Sequence, residues 1–182
     1  MKKVYILLAN GFETIEALAP KDVFFRCGID VKLISINSEL YVTSSHKVTI
    51  KADALLKDID AKDADVLYLP GGYPGYVNLR NSTEVGELAQ YYYMNGKILA
   101  LICGAPTILP KNNIARGSKI TCHHSVKNDI IEYNYSGKQI EIDKNLYTAR
   151  GAGLSVEFAI EIARSLVDQN VIEKVLHGLE LK

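Results

Sequence analysis

The sequence predicts an α/β sandwich, a mostly parallel β-sheet wound twice with helices on both faces. Three observations carry that expectation. Short apolar runs rich in Val, Ile, Leu and Tyr recur at 3–8, 31–36, 65–69, 97–102 and 145–148. Several of them are continuously hydrophobic instead of alternating, as strands covered on both faces are. Helical patterns fill the intervals, and parallel strands joined through helices cross over right-handedly, which places helices on both sides of the sheet.

Taken in order, the first run, VYILLA after Met1-Lys2-Lys3, looks at first like the start of a signal peptide. Asn10-Gly11 interrupts it and no small-residue cleavage site follows, so it reads as the first strand. Helices are expected at about 15–27, 83–94, 105–115 and 154–168, with a last one near 170–178. The third begins with Pro106, a residue suited to a first helical turn. Segments 40–50 and 130–142 alternate more and carry the turn signals Ser44-Ser45 and Ser136-Gly137, which predict small antiparallel additions. The pattern is that of a flavodoxin-like fold. At 182 residues, with no repeat, low-complexity stretch or linker, residues 1–182 are expected to form one domain.

Composition narrows the partners. Twenty-one basic residues balance twenty-one acidic ones without a Lys/Arg run, so nucleic acid is not an expected partner. No apolar run approaches the ~18 residues of a membrane span, which predicts a soluble protein. Cys27, Cys103 and Cys122 form no C-x-x-C pair, so neither a disulfide framework nor a zinc site is indicated and a reducing, cytoplasmic setting fits. The glycosylation-type triplets at Asn81 and Asn134 would matter only after secretion.

In open parallel sheets ligands bind beyond the carboxyl ends of the strands, where the strand order reverses. Four loops occupy such positions: N-G-F-E-T-I-E after the first strand, P-G-G-Y-P-G-Y after 69, C-G-A-P-T after 102 and T-C-H-H after 120. Cys103 stands at a corner between a buried strand and a helix, where free N–H groups and the helix dipole favour a thiolate. A small buried hydrophobe would sit equally well there. Gly71-Gly72 offers backbone N–H donors for an oxyanion, or a plain turn. Glu13 and Glu16 share the start of the first helix, a common place for carboxylates. Glu16, flanked by Ile15, Ala17, Leu18 and Ala19, is expected to be buried, to hold its proton, and so to donate to a thiolate or shuttle a proton. Of His123 and His124 only one can face the cysteine, since successive extended residues point opposite ways. Tyr91, Tyr92 and Tyr93 suggest a partly exposed patch.

Together N-G-F-E-T-I-E-A, L-P-G-G, A-L-I-C-G-A-P-T-I-L, T-C-H-H-S-V-K and T-A-R-G-A-G-L-S-V-E-F-A resemble the ThiJ/PfpI superfamily, in its DJ-one-like branch, across essentially the whole chain. The resemblance implies a flavodoxin-like homodimer with a nucleophile at Cys103, its carboxyl partner at Glu16, a histidine at His123 and backbone donors at Gly72 and Gly104. Arg26 and Arg150 resemble the family's arginines near the site and dimer face. The chain offers His46 where the branch often has an arginine, His124 where it has a proline, and Gly104 where the peptidase-like branch has a histidine. The implied activity is a glyoxalase or deglycase reaction on small aldehydes such as methylglyoxal or glyoxal, with no cofactor and no metal. The alternative is a redox-responsive stress protein or chaperone in which Cys103 is oxidised to a sulfinic acid.

Overall fold

A computed structural model describes residues 1–181. Its centre is a seven-stranded sheet in the order β10-β11-β7-β6-β1-β2-β5. The strands are β1 (Lys3–Leu8), β2 (Asp30–Ser35), β5 (Ala54–Leu55), β6 (Val66–Leu69), β7 (Ile98–Ile102), β10 (Ile140–Asp143) and β11 (Leu146–Ala149). All neighbours run parallel except β10 and β11. The expected flavodoxin-like, doubly wound sheet is therefore present, with β10 an antiparallel edge.

The period-2 geometry of strands sorts side chains between two apolar layers. Val4, Ile6 and Leu8 of β1, Val66 and Tyr68 of β6, and Ala100 and Ile102 of β7 enter one layer. That layer is roofed by α1 (Thr14–Arg26), α5 (Ser155–Arg164) and α6 (Gln169–Gly178). Tyr5 and Leu7, Leu67 and Leu69, and Leu99 and Leu101 enter the other, beneath α2 (Gly75–Asn81), α3 (Thr83–Met94) and α4 (Ile108–Lys111). Continuous apolar runs in the sequence are thus strands that bury both faces.

Register aligns the carboxyl ends. Ile6 pairs with Tyr68, Leu69 with Leu101, and Ile102 with Ala149. The chain leaves β1 for β2 on one side and returns to β6 on the other, so the order reverses between β1 and β6. The loops after β1, β6 and β7 consequently meet in one crevice.

Two expectations need correction. The helix expected over 105–115 is a 3-10 turn at Ala105–Thr107 followed by the short α4. Pro110 has no N–H to continue the ladder, and Asn113 and Ala115 adopt left-handed φ values of 54° each. Segment 130–142 is not an antiparallel addition of its own: β9 (Asn134–Tyr135) pairs in parallel with β8 (Lys119–Ile120), and β10 joins the main sheet. The hairpin expected over 40–50 does form, as β3 (Tyr41–Thr43) against β4 (Thr49–Lys51). The three tyrosines are exposed only in part: Tyr91 and Tyr93 are half-buried, whereas Tyr92 is fully buried and its hydroxyl donates to the Ala61 carbonyl at 2.7 Å.

Candidate active site

Cys103 follows β7 directly and takes a φ of +62°. That conformation costs a residue with a side chain on the order of 1–3 kcal/mol, so something must hold it. Two neighbours do: the Cys103 N–H donates to the Ala149 carbonyl at 3.0 Å, and its carbonyl accepts the His123 N–H at 2.9 Å. The corner is clamped between β11 and the segment after β8, and the thiol is half-buried.

Glu16 reaches the same point from α1. Glu13, not Glu16, caps the helix, its side chain accepting the Glu16 N–H at 2.9 Å. Glu16 is left to turn inward and is 0 % exposed, as the apolar flanks predict. Its Oε2 accepts the Gly71 N–H at 2.7 Å, while Oε1 has no hydrogen-bond partner among the described residues. Gly71 also accepts the Glu13 N–H at 2.9 Å, so the exits of β1 and β6 are stitched by backbone. A Cβ on Gly71 would lie 2.6 Å from the Cys103 Cβ and 2.7 Å from Glu16 Oε2. Only glycine admits the approach that brings carboxyl and thiol together.

The electrostatics of the pair follow the sequence reading at Glu16 and depart from it at Cys103. Burial, against the Gly71 N–H and a hydrogen bond with Cys103, pushes the Glu16 carboxyl up to about 7. Burial first, and then the adjoining Glu16 carboxylate, push the Cys103 thiol up to about 12, against the pull of the Gly72 and Gly104 N–H groups. The thiolate favoured by a helix N-terminus is therefore not what this corner supplies. The following element is one 3-10 turn and a four-residue helix, too short for an appreciable dipole. Burial raises both groups, and the Glu16 carboxylate raises the thiol further, so the pocket holds one negative charge more readily than two.

The remaining predicted residues form a looser rim. Gly72 and Gly104 direct their N–H groups at the Cys103 sulfur. The Tyr76 ring covers Gly104 so closely that a Cβ there would lie 2.6 Å from it. His123 follows β8 and is joined to Cys103 through its backbone alone. Its ring Nδ1 accepts the Ser125 N–H at 3.3 Å and lies 2.7 Å from the Ser125 hydroxyl, which leaves the ring proton on Nε2. Burial, His124 and Arg150 keep that ring below the usual histidine range. His124 is exposed and stacks on His123 with centroids 4.1 Å apart. His46 is also exposed, its Nδ1 3.4 Å from Glu13 Oε1. Arg150 stands exposed beside Ala149, with its backbone N–H on the Gln139 carbonyl.

Arg26 is not brought to this site. It lies in the last turn of α1, paired with Asp22 at 2.7 Å and close to Gly178. Ten residues of helix separate it from Glu16 by about 15 Å at 1.5 Å per residue. Cys27 and Cys122 are buried, and burial pushes both thiols up, that of Cys122 to about 11. Among the described residues no group of three or more His, Cys, Asp or Glu side chains could hold a metal ion, and no helix is long and apolar enough to cross a membrane. Sequence reading gave no role to Tyr76 or Ser125, whose contacts come from loops that only the fold brings together.

Comparison with known proteins places this geometry in context. The Drosophila melanogaster protein dj-1beta is 35% identical over 98% of this chain and 96% of its own. Its crystal structure matches with a TM-score of 0.94, covering 98% of this chain and 97% of that one. A Caenorhabditis elegans relative named glutathione-independent glyoxalase DJR-1.2 is 32% identical over 91% of this chain and 89% of its own. A Bacillus subtilis relative named putative cysteine protease YraA is 31% identical over 82% of this chain and 89% of its own. The sequence profile of the DJ-1/PfpI family matches residues 2–165, and with these full-length likenesses the chain belongs to the DJ-1/PfpI family.

Proposed function

We propose that this chain is a cysteine-dependent, cofactor-free glyoxalase- or deglycase-type enzyme acting on small reactive dicarbonyls, methylglyoxal or glyoxal, or on their early glycation adducts. One observation carries the reading: a fully buried carboxyl, Glu16, with its titration raised to about 7, against a thiol on a strained corner. A proton carrier works best when its pKa lies near the working pH, because both forms are then available.

The steps follow from that pair. Cys103 sulfur bonds to the aldehyde carbon while Glu16 takes the thiol proton, so the high thiol pKa is no obstacle. The Gly72 and Gly104 N–H groups, already turned to the sulfur, lie where the new oxyanion develops. The hemithioacetal carbon then loses its C–H proton, and the neighbouring ketone carbon gains one. The first carbon is oxidised and the second reduced, which leaves a hydroxyacyl thioester on Cys103. Water cleaves the thioester, giving lactate from methylglyoxal and restoring the thiol, with no net redox change. Glu16 moves the protons, and the His123 Nε2–H serves as a donor to the substrate's second oxygen at the rim. The name of the C. elegans relative supports this reaction class. Against a peptidase stands Gly104, where the Tyr76 ring leaves no room for the histidine of the peptidase-like branch.

We further infer a homodimer in the cytoplasm, with α1 at the interface. Ile15 and Phe25 on its outer face are 50% and 74% exposed, and Arg26 lies beside Phe25. Sedimentation should give a dimer for the wild type and a monomer for Phe25→Asp.

The decisive assay is conversion of methylglyoxal to lactate without glutathione or metal. Wild type should turn over, with losses on the order of a thousandfold for Cys103→Ser and a hundredfold for Glu16→Gln. An inert wild type whose Cys103 is still selectively oxidised by peroxide would replace this reading with the redox-responsive one.

A further inference from the structure

Two buried polar atoms in the α1/α5 layer have no hydrogen-bond partner among the described residues. One is Glu16 Oε1 and the other is the Tyr68 hydroxyl. Tyr68 is fully buried on β6, and its ring packs against Phe24 of α1 with centroids 6.4 Å apart and Phe158 of α5 at 5.7 Å. It is the last side chain of β6 facing this layer, three residues before Gly71, whose N–H holds the other Glu16 oxygen. A buried polar group left unpaired costs roughly 1–3 kcal/mol, and enclosed water is how proteins meet such groups.

We propose that one enclosed water joins the Tyr68 hydroxyl to Glu16 Oε1, making Tyr68 a positioning residue that holds the second oxygen of the carboxyl. The water would donate to Oε1 and accept from, or donate to, the phenol. Tyr68 would touch neither substrate nor sulfur. The titratable groups acting on this assembly are Glu16, Cys103 and Glu13, since Phe24 and Phe158 bring none. The inference rests on the reading of Glu16 and Cys103 as a proton-sharing pair.

A donor at Oε1 favours the ionised carboxyl. With one negative charge in the pair, whatever favours the carboxylate disfavours the thiolate. Removing the phenol hydroxyl therefore moves charge from Glu16 to Cys103. The variant is Tyr68→Phe, which keeps the ring and its packing.

Two measurements test it. A high-resolution crystal structure of the wild type should show an ordered water within hydrogen-bond distance of both atoms, absent in Tyr68→Phe. Iodoacetamide alkylation of Cys103 across pH 5 to 10 should be faster in Tyr68→Phe by about three- to tenfold on the plateau above neutral pH, with the midpoint shifted upward. A purely structural role for Tyr68 would lower stability without moving that profile. No water at this position, or superimposable profiles, overturns the proposal. Neither readout uses methylglyoxal, so an inert wild type would sink the enzymatic reading alone and leave this one to be judged separately.

Discussion

The interior and the rim of the site are built by different means. Inside, Cys103, Glu16 and Gly71 are fixed by backbone: a left-handed corner clamped at 3.0 and 2.9 Å, a capped helix start, and a glycine whose missing Cβ makes room. At the rim, His46, His124 and Arg150 are exposed side chains on loops, and the His46–Glu13 pair spans 3.4 Å with the histidine side chain 69% exposed. The difference teaches where tolerance lies. The interior has one arrangement and fails when any part is displaced. The rim can change its charges without disturbing the pair, which suits the choice of substrate more than the chemistry.

The sharpest way to break the comparison is Gly71→Ala. If the interior is set by close approach, the added methyl must displace either Glu16 or the Cys103 corner, since both stand within 3 Å of it. Turnover should fall about a hundredfold, the scale of a displacement near 1 Å between reacting groups. Steady-state kinetics with methylglyoxal, alongside a thermal melt showing that the variant is folded, checks this. Activity within a few-fold of wild type would mean that the contact is not what aligns the pair.

The interior should also carry a stability cost that the rim does not. The Glu16 carboxyl is raised from 4.5 to about 7 on folding, chiefly by burial. Between those values the folded state keeps a proton that the unfolded chain has released, so stability falls as pH rises from about 4.5 through 7 and is level beyond. At ~1.4 kcal/mol per pH unit the cost at pH 8 is about 3 kcal/mol. Glu16→Gln should therefore melt at a higher temperature than wild type at pH 8 and match it near pH 4.5, although it loses turnover. Equal melting difference at both pH values would remove burial as the cause. Arg150→Ala, at an exposed position, should show no such pH dependence.

The same division explains what could be read in the sequence. The five long strands and the helices over 14–26, 83–94 and 169–178 were legible because periodicity reports burial. Glu16 was legible because apolar neighbours surround it. The helix after Cys103 was misjudged because Pro106 suits a first helical turn, whereas Pro110 four residues on and the left-handed Asn113 and Ala115 end the helix early. The raised thiol could not be read at all, for it depends first on burial within the assembled crevice and then on a carboxylate 87 positions earlier that topology alone brings close. Tyr68 left one trace, a hydroxyl within the otherwise apolar strand V-L-Y-L, and α2 none, since its Gly-Tyr-Val-Asn start follows directly on a turn.

The smallest effects lie at the rim, and they separate its members. His123 contributes its backbone N–H to the Cys103 corner whatever its side chain, so His123→Ala keeps the clamp and removes only the ring. With no hydrogen bond between that ring and the thiol among the described residues, the expected loss is about tenfold in kcat, the share of one neutral donor to a substrate oxygen. His46→Ala and Arg150→Ala remove exposed polar side chains, worth up to ~1 kcal/mol, and should alter KM by about two- to threefold with kcat unchanged. A loss at His123 as large as that at Glu16 would move the imidazole from the rim into the proton-transfer machinery. A kcat effect at His46 would do the same for Glu13, whose carboxylate that histidine faces while its other oxygen caps the helix presenting Glu16.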